Sequence, residues 1–102
     1  MRTLEPSDFE DAVRVMERLG WCKGRSIGPG GAVCAARALN IAAKERSGDW
    51  CDLDAARKVL AGVIPHTGTK DMISRWNDLP STQFLDVQAK FLSAARKMRE
   101  AG

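Results

Sequence analysis

From Phe9 onward, apolar side chains recur three and four positions apart, at Phe9, Ala12, Val13, Met16 and Leu19. Glu10, Asp11, Arg14, Glu17 and Arg18 fill the places between them. That spacing predicts an amphipathic first helix with one face in the core and one in water. Ser7-Asp8-Phe9-Glu10 reads as its capping box, the Ser7 hydroxyl and the Glu10 carboxylate each satisfying a free backbone N–H. Gly20 is placed to end it in the left-handed conformation.

The pattern then breaks. Trp21 to Gly31 carries Gly24, Gly28, Gly30, Gly31 and Pro29, which predicts a compact loop or a short irregular hairpin rather than helix, with two short strands as the alternative. A second helix runs from about Ala32 to Lys44 or Arg46 and stops at Gly48. Its only charges are Arg37, Lys44, Glu45 and Arg46, so most of its circumference can be buried. Its alanines let neighbouring elements approach closely, which puts it at the centre with the other helices as walls. Asp52 is a good N-cap for a third helix, Leu53 to about Val63, with Leu53, Ala56, Leu60 and Val63 facing inward and Pro65 preventing continuation. Thr69 caps a short fourth helix, Lys70 to about Asn77, in which Ile73 and Trp76 share a face before Pro80 forces a break. Ser81 or Thr82 caps the last helix, which runs to about Glu100 on a stripe of Phe84, Val87, Phe91, Ala94, Ala95 and Met98, broadened by Leu85 and Leu92. Asp86 near its start and Arg96, Lys97 and Arg99 near its end complement the helix dipole. The predicted fold is all-α: a compact single-domain bundle of four to five helices, residues 1–102, around a central Ala-rich helix.

Composition narrows the function classes. The 102 residues suit one core. A net charge of +3 with both signs interspersed gives a mildly basic surface without the dense Lys/Arg blocks of an obligate nucleic-acid binder. Nucleic acid is therefore not favoured as a partner. Met1 to Ser7 lacks the features of a signal peptide and the apolar runs are too short to span a bilayer, so a cytoplasmic protein with no membrane partner is expected. Cys22, Cys34 and Cys51 form an odd set without a close pair, which favours reduced thiols over a disulfide framework. With His66 they could supply four zinc ligands, but the spacing matches no metal motif. Neither a metal nor a cofactor is expected.

Four features carry candidate chemistry. Cys34, placed in the first turn of the second helix, feels unpaired N–H groups that favour a thiolate, and His66 is the chain's one imidazole to serve it as a base. A small buried residue at a loop–helix junction is the simpler account. The Gly28-Pro29-Gly30-Gly31 run at a helix start can cradle an anion with its backbone N–H groups, Lys23 and Arg25 adding charge. It lacks the Gly-Lys-Ser/Thr ending and preceding strand of a nucleotide loop. Trp76-Asn77-Asp78 offers a stacking face beside hydrogen-bonding groups. The same triplet is explained structurally if Trp76 fills the core against Trp21, Asn77 ends a helix and Asp78 accepts turn hydrogen bonds. Trp50, in a polar connection, is an interface anchor if exposed and a lid over Leu53 if not.

Gly20-Trp21 with Gly24, Gly31-x-x-Cys34 leading into Ala38-Leu39, Ile73-x-x-Trp76-Asn77-Asp78, and a closing helix with Val87 and Ala94-Ala95 together resemble a family of small uncharacterised proteins from actinobacteria and their phages. The resemblance spans nearly the whole chain. It carries over no catalytic residue; it implies a phage or mobile-element accessory protein, and such proteins commonly bind host proteins or neutralise host defences. The favoured reading is a non-enzymatic binding module engaging a host protein through a helix face and the Trp50 region. The alternatives are a nucleotide- or phosphate-binding protein using Lys23, Arg25, Gly30, Gly31, Trp76, Asn77 and Asp78, and a thiol enzyme built on Cys34 and His66.

Overall fold

The computed structural model describes residues 3–64 and 72–101. Five helices follow one another: α1 (Pro6–Leu19), α2 (Ala35–Ser47), α3 (Leu53–Ala61), α4 (Met72–Asp78) and α5 (Phe84–Ala101). No strand occurs among the described residues; a single 3-10 turn, Pro29–Gly31, interrupts the loop between α1 and α2. The chain is an all-α single-domain bundle, as its periodicity predicts. The proposed roles of Pro65 and Thr69 lie outside the described residues, as does the predicted start of the fourth helix at Lys70.

Each helix begins where backbone donors find partners. Pro6 opens α1, its fixed φ suited to the first turn and its missing N–H no loss there. The N–H of Glu5 donates to Asp8 Oδ2 at 2.8 Å, so Asp8 takes the acceptor role predicted for Glu10, and Ser7 lies inside the first turn. The same device opens α5: the Gln83 N–H donates to Asp86 Oδ2 at 2.8 Å, and Thr82, buried, is not the cap. Asp52 caps α3 as predicted, accepting from the Ala55 N–H at 3.1 Å. Gly48 ends α2 in the left-handed region at φ 79°, whereas Gly20 ends α1 at φ 96°, ψ 155°, a positive-φ conformation outside the left-handed helical well.

The predicted start of α2 at Ala32 is corrected to Ala35. Val33 pairs as an isolated bridge with both Trp21 and Ile27. Its N–H donates to Gly20 O at 2.9 Å and its carbonyl accepts from Cys22 at 3.0 Å. Gly28 donates to Ala32 O at 2.7 Å and Cys34 to Ser26 O at 3.2 Å. Residues 32–34 thus spend these backbone groups on the loop, and only the Cys34 carbonyl, accepting from the Ala38 N–H at 2.9 Å, joins the helix. Gly28 is required by this closeness, because a Cβ there would stand 2.9 Å from the Cβ of Cys22.

The core is built on α1, which packs along both α2 and α5, while α2 also meets α3 and α4. Ala35, Ala38, Leu39, Ala42 and Ala43 line the buried side of α2, so the Ala-rich helix is enclosed on that side and shares the centre with α1. Phe9 and Phe91 meet edge to face at 5.3 Å between centroids. A two-pronged Arg99–Glu10 pair joins the last helix to the first, its longer bond 2.7 Å. Val87, Phe91, Ala94 and Ala95 form the inward stripe of α5. Leu85 and Leu92, predicted to broaden it, are instead 77% and 46% exposed.

Candidate functional site

One amide organises the loop end of the bundle. Asn77, fully buried near the end of α4, accepts on Oδ1 from Trp21 Nε1 at 2.6 Å and from the Ala35 N–H at 3.0 Å. Its Nδ2 donates to Cys22 O and to Asp78 Oδ1, each at 3.0 Å. Both lone-pair directions and both N–H bonds are occupied, which is the full capacity of an amide. Asp78 Oδ1 also accepts from the Gly24 N–H at 2.8 Å, and Lys23 Nζ donates to Leu79 O at 2.6 Å. The Trp-Asn-Asp triplet therefore pins the glycine loop and the start of α2 to α4. Trp76 fills the core, as its structural reading predicts, but its ring packs against Phe91 at 6.4 Å. Trp21 stacks on Phe84 at 6.0 Å and reaches the triplet through its indole N–H, so the expected contact between the two tryptophans is replaced by a hydrogen bond to the next residue.

The glycine run is not at a helix start. Gly30 and Gly31 have φ of 68° and 86°, and the Gly31 N–H is committed to Gly28 O at 3.2 Å. Cys34 stands at the N-cap of α2, one residue before the first turn, where its Sγ accepts from the Arg37 N–H at 3.4 Å. Cys34 and Cys51 are buried, Cys22 is half-buried, and no disulfide links them. Burial pushes the Cys22 thiol up, with the neighbouring Cys34 adding to the effect. His66 lies outside the described residues. No cluster of three metal-binding side chains is found among the described residues.

A cleft of about 390 Å³ opens beside the start of α2. Arg25, Ser26, Ser74 and Asp78 form its polar rim, α2 contributes Ala36, Arg37 and Asn40, and Cys34 and Leu53 supply apolar wall. Two side-chain atoms here are buried without a hydrogen-bond partner: Arg37 Nε, a donor, and Asn40 Oδ1, an acceptor. They lie three residues apart on one helix face yet do not bond each other. Neither Arg25 nor Arg37 pairs with a carboxylate among the described residues. Buried polar atoms are nearly always satisfied, so an orphaned donor and an orphaned acceptor in the helix that walls the cleft single out this part of the molecule.

The same face of α2 continues from Arg37 and Asn40 to Lys44, about 10 Å further along the axis. Lys44 Nζ sits 4.8 Å from the ring centroid of Trp50, and Trp50 is 48% exposed. Trp50 therefore does not fold back as a lid. Of the sequence-derived candidates, Arg25 and Asp78 reach the cleft together, with Cys34 in its wall. Lys23 and Asn77 are engaged in holding the loop, Trp76 fills the core, and Gly30 and Gly31 lie outside the cleft lining. Arg37 and Asn40 were missed. Their signal was present as the polar residues spaced three apart in the first two turns of an otherwise small-residue helix.

By fold, then, this is a small all-α bundle carrying a partly unsatisfied polar cleft and an exposed tryptophan on one side of its second helix. The chain belongs to DUF6197, a family of unknown function, whose sequence model matches residues 1–97. No curated protein and no solved structure matches it. Among the described residues no helix is long and apolar enough to cross a membrane.

Proposed function

We propose that the protein is a non-enzymatic binding module that engages a protein partner through the outward face of α2 and the Trp50 connection. The observation that carries this reading is Trp50 itself, half-exposed and braced under the Lys44 ammonium. A tryptophan held in place in the unbound protein offers a large anchoring surface with little ordering cost, and such residues dominate interface energetics. The cation beside it and the two unpaired arginines at the far end of the face favour a partner carrying acidic groups.

The Gly-Trp, Gly-x-x-Cys and Trp-Asn-Asp landmarks support an origin among actinobacteria and their phages. On that origin the module is an accessory protein acting in the cytoplasm on a host protein, with counter-defence as one such role. The test is affinity capture from an actinobacterial lysate with the wild-type protein and with Trp50→Ala. A partner retained by the first and lost by the second, at equal melting temperature, supports the reading; a partner retained equally by both removes Trp50 as its anchor.

The cleft supports a second reading, binding of a small anionic ligand. Its site is the Arg25, Arg37 and Asn40 group rather than the Gly30-Gly31 turn, because the unsatisfied atoms lie in the former.

A further inference from the structure

Cys22 and Cys34 stand twelve positions apart in the chain, yet the fold brings them to the two ends of one hydrogen bond. The Cys22 N–H donates to the Val33 carbonyl at 3.0 Å. The Cα of Cys22 is one bond from that nitrogen, and the Cα of Cys34 follows that carbonyl across a single peptide link. The two Cα atoms therefore lie about 5–6 Å apart, inside the span of about 4.4–6.8 Å that a disulfide bridges. Trp21 and Val33 pair as a parallel bridge, so the next residue on each segment turns its side chain to the other face, the same face for both. Neither sulfur is held firmly. Cys22 Sγ lies within donating range of Arg25 O at 3.4 Å and Ala32 O at 3.6 Å, and Cys34 Sγ accepts from the Arg37 N–H at 3.4 Å; sulfur is a weak partner in either role. The titration of Cys22 agrees with the proximity: burial pushes its thiol up, and Cys34 adds to the effect.

We propose that Cys22 and Cys34 form a reversible thiol–disulfide site, oxidised by a small disulfide such as glutathione disulfide, that clamps the Gly24–Ser26 loop to the start of α2. Access sets the order of events. Cys22 is half-buried and open to a reagent, whereas Cys34, 8% exposed, is reached from within by Cys22. The Cys22 sulfur, its proton released to solvent, attacks the small disulfide and displaces one thiolate, leaving a mixed disulfide. The Cys34 sulfur, likewise deprotonated, attacks the Cys22 sulfur and displaces the second thiolate. Two protein thiols are oxidised, one small disulfide is reduced, and its two thiolates take up the two protons. The loop between the cysteines is held by backbone bonds such as Cys34 N–H to Ser26 O, and opening it requires its ends to part. A bond between those ends forbids that. In a reducing compartment the pair rests as thiols and closes when small disulfides accumulate.

The test is incubation of the folded protein with glutathione disulfide at mildly alkaline pH, followed by intact mass, peptide mapping and amide exchange. The wild type should lose two hydrogens in mass without dimerising, and the map should join Cys22 to Cys34. Amide exchange at Gly24, Arg25 and Ser26 should slow by about tenfold or more, and dithiothreitol should restore it. Cys34→Ser, whose hydroxyl can still cap α2, should stop at one glutathione held on Cys22. Cys22→Ser should leave Cys34 unmodified over the same time. Glutathione retained on Cys22 beside a free Cys34 thiol in the wild type overturns the pairing. So does a bond from either residue to Cys51, or an inert folded protein whose unfolded chain reacts. A mapped Cys22–Cys34 bond that leaves loop exchange unchanged overturns the clamp. Trp50→Ala should oxidise like the wild type, so the outcome is separate from that of the docking reading.

Discussion

Two clefts flank α2, and their arginines behave oppositely. The one between α1 and α2, about 320 Å³, is lined by Asp11, Arg14, Arg18, Glu45 and Arg46 among others. There Arg14 pairs with Asp11 at 2.6 Å, Arg18 with Glu45 at 2.8 Å, and Arg46 with Glu5. In the cleft at the start of α2, Arg25 and Arg37 have no such partner among the described residues and Arg37 Nε is buried unsatisfied. Positive charge is thus met by internal counter-groups in one cleft and, among the described residues, not in the other.

The largest effects should come from the residues that hold the loop end of the bundle together. Trp76→Ala removes a nearly buried ring packed on Phe91 and should lower unfolding free energy in denaturant by about 3–5 kcal/mol. Asn77→Ala strands the Trp21 indole N–H, the Ala35 N–H and the Cys22 carbonyl, and should lose about 3 kcal/mol. It should also disorder the Gly24–Ser26 rim, seen as faster amide exchange there than in α5. The paired cleft should be indifferent to Asn77→Ala in its own exchange rates.

Smaller effects test the contrast directly, and their signs differ. Arg18→Ala breaks an exposed pair and should cost no more than about 1 kcal/mol, a loss that shrinks in high salt. Arg37→Met keeps the packing of the stem while removing an unsatisfied buried donor, so its melting temperature should stay level or rise. A fall in stability for Arg37→Met comparable to that of Arg18→Ala would show that Arg37 has an internal partner after all, and would erase the distinction between the two clefts.

The smallest effect concerns pH. Hydrogen bonding to Arg99 holds the Glu10 carboxyl below its ordinary value of 4.5. A group whose folded value is depressed stabilises the fold above its unfolded value and loses that contribution as pH falls through the folded one. The melting difference between wild type and Glu10→Gln should therefore be constant above about pH 5 and narrow as acid is added below 4.5. A difference that instead widens in acid would contradict the Glu10–Arg99 link between α1 and α5.

Much of this bundle is legible in the chain because its causes are local. The spacing of Phe9, Ala12, Val13 and Met16, the Asp52 cap and Gly48 stop act over one or two turns, so the helices they define stand close to where periodicity places them. Periodicity failed where remote groups compete. Ala32 to Cys34 look helical, yet their backbone is claimed by Gly20, Cys22, Ser26 and Gly28. Leu85 and Leu92 look like core, but the fold leaves both exposed. Arg18 and Arg37 read alike along the chain, and only the fold, by pairing Glu45 with one and leaving the other without an ion pair among the described residues, told them apart. The sequence by itself determined that the fold is helical, about where its helices lie and most of the apolar side of each, since these follow from spacing within a turn. Tertiary structure alone decided where α2 begins, that Trp50 stays exposed, and which polar atoms are left unsatisfied, because each depends on groups far apart in the chain meeting within hydrogen-bonding distance.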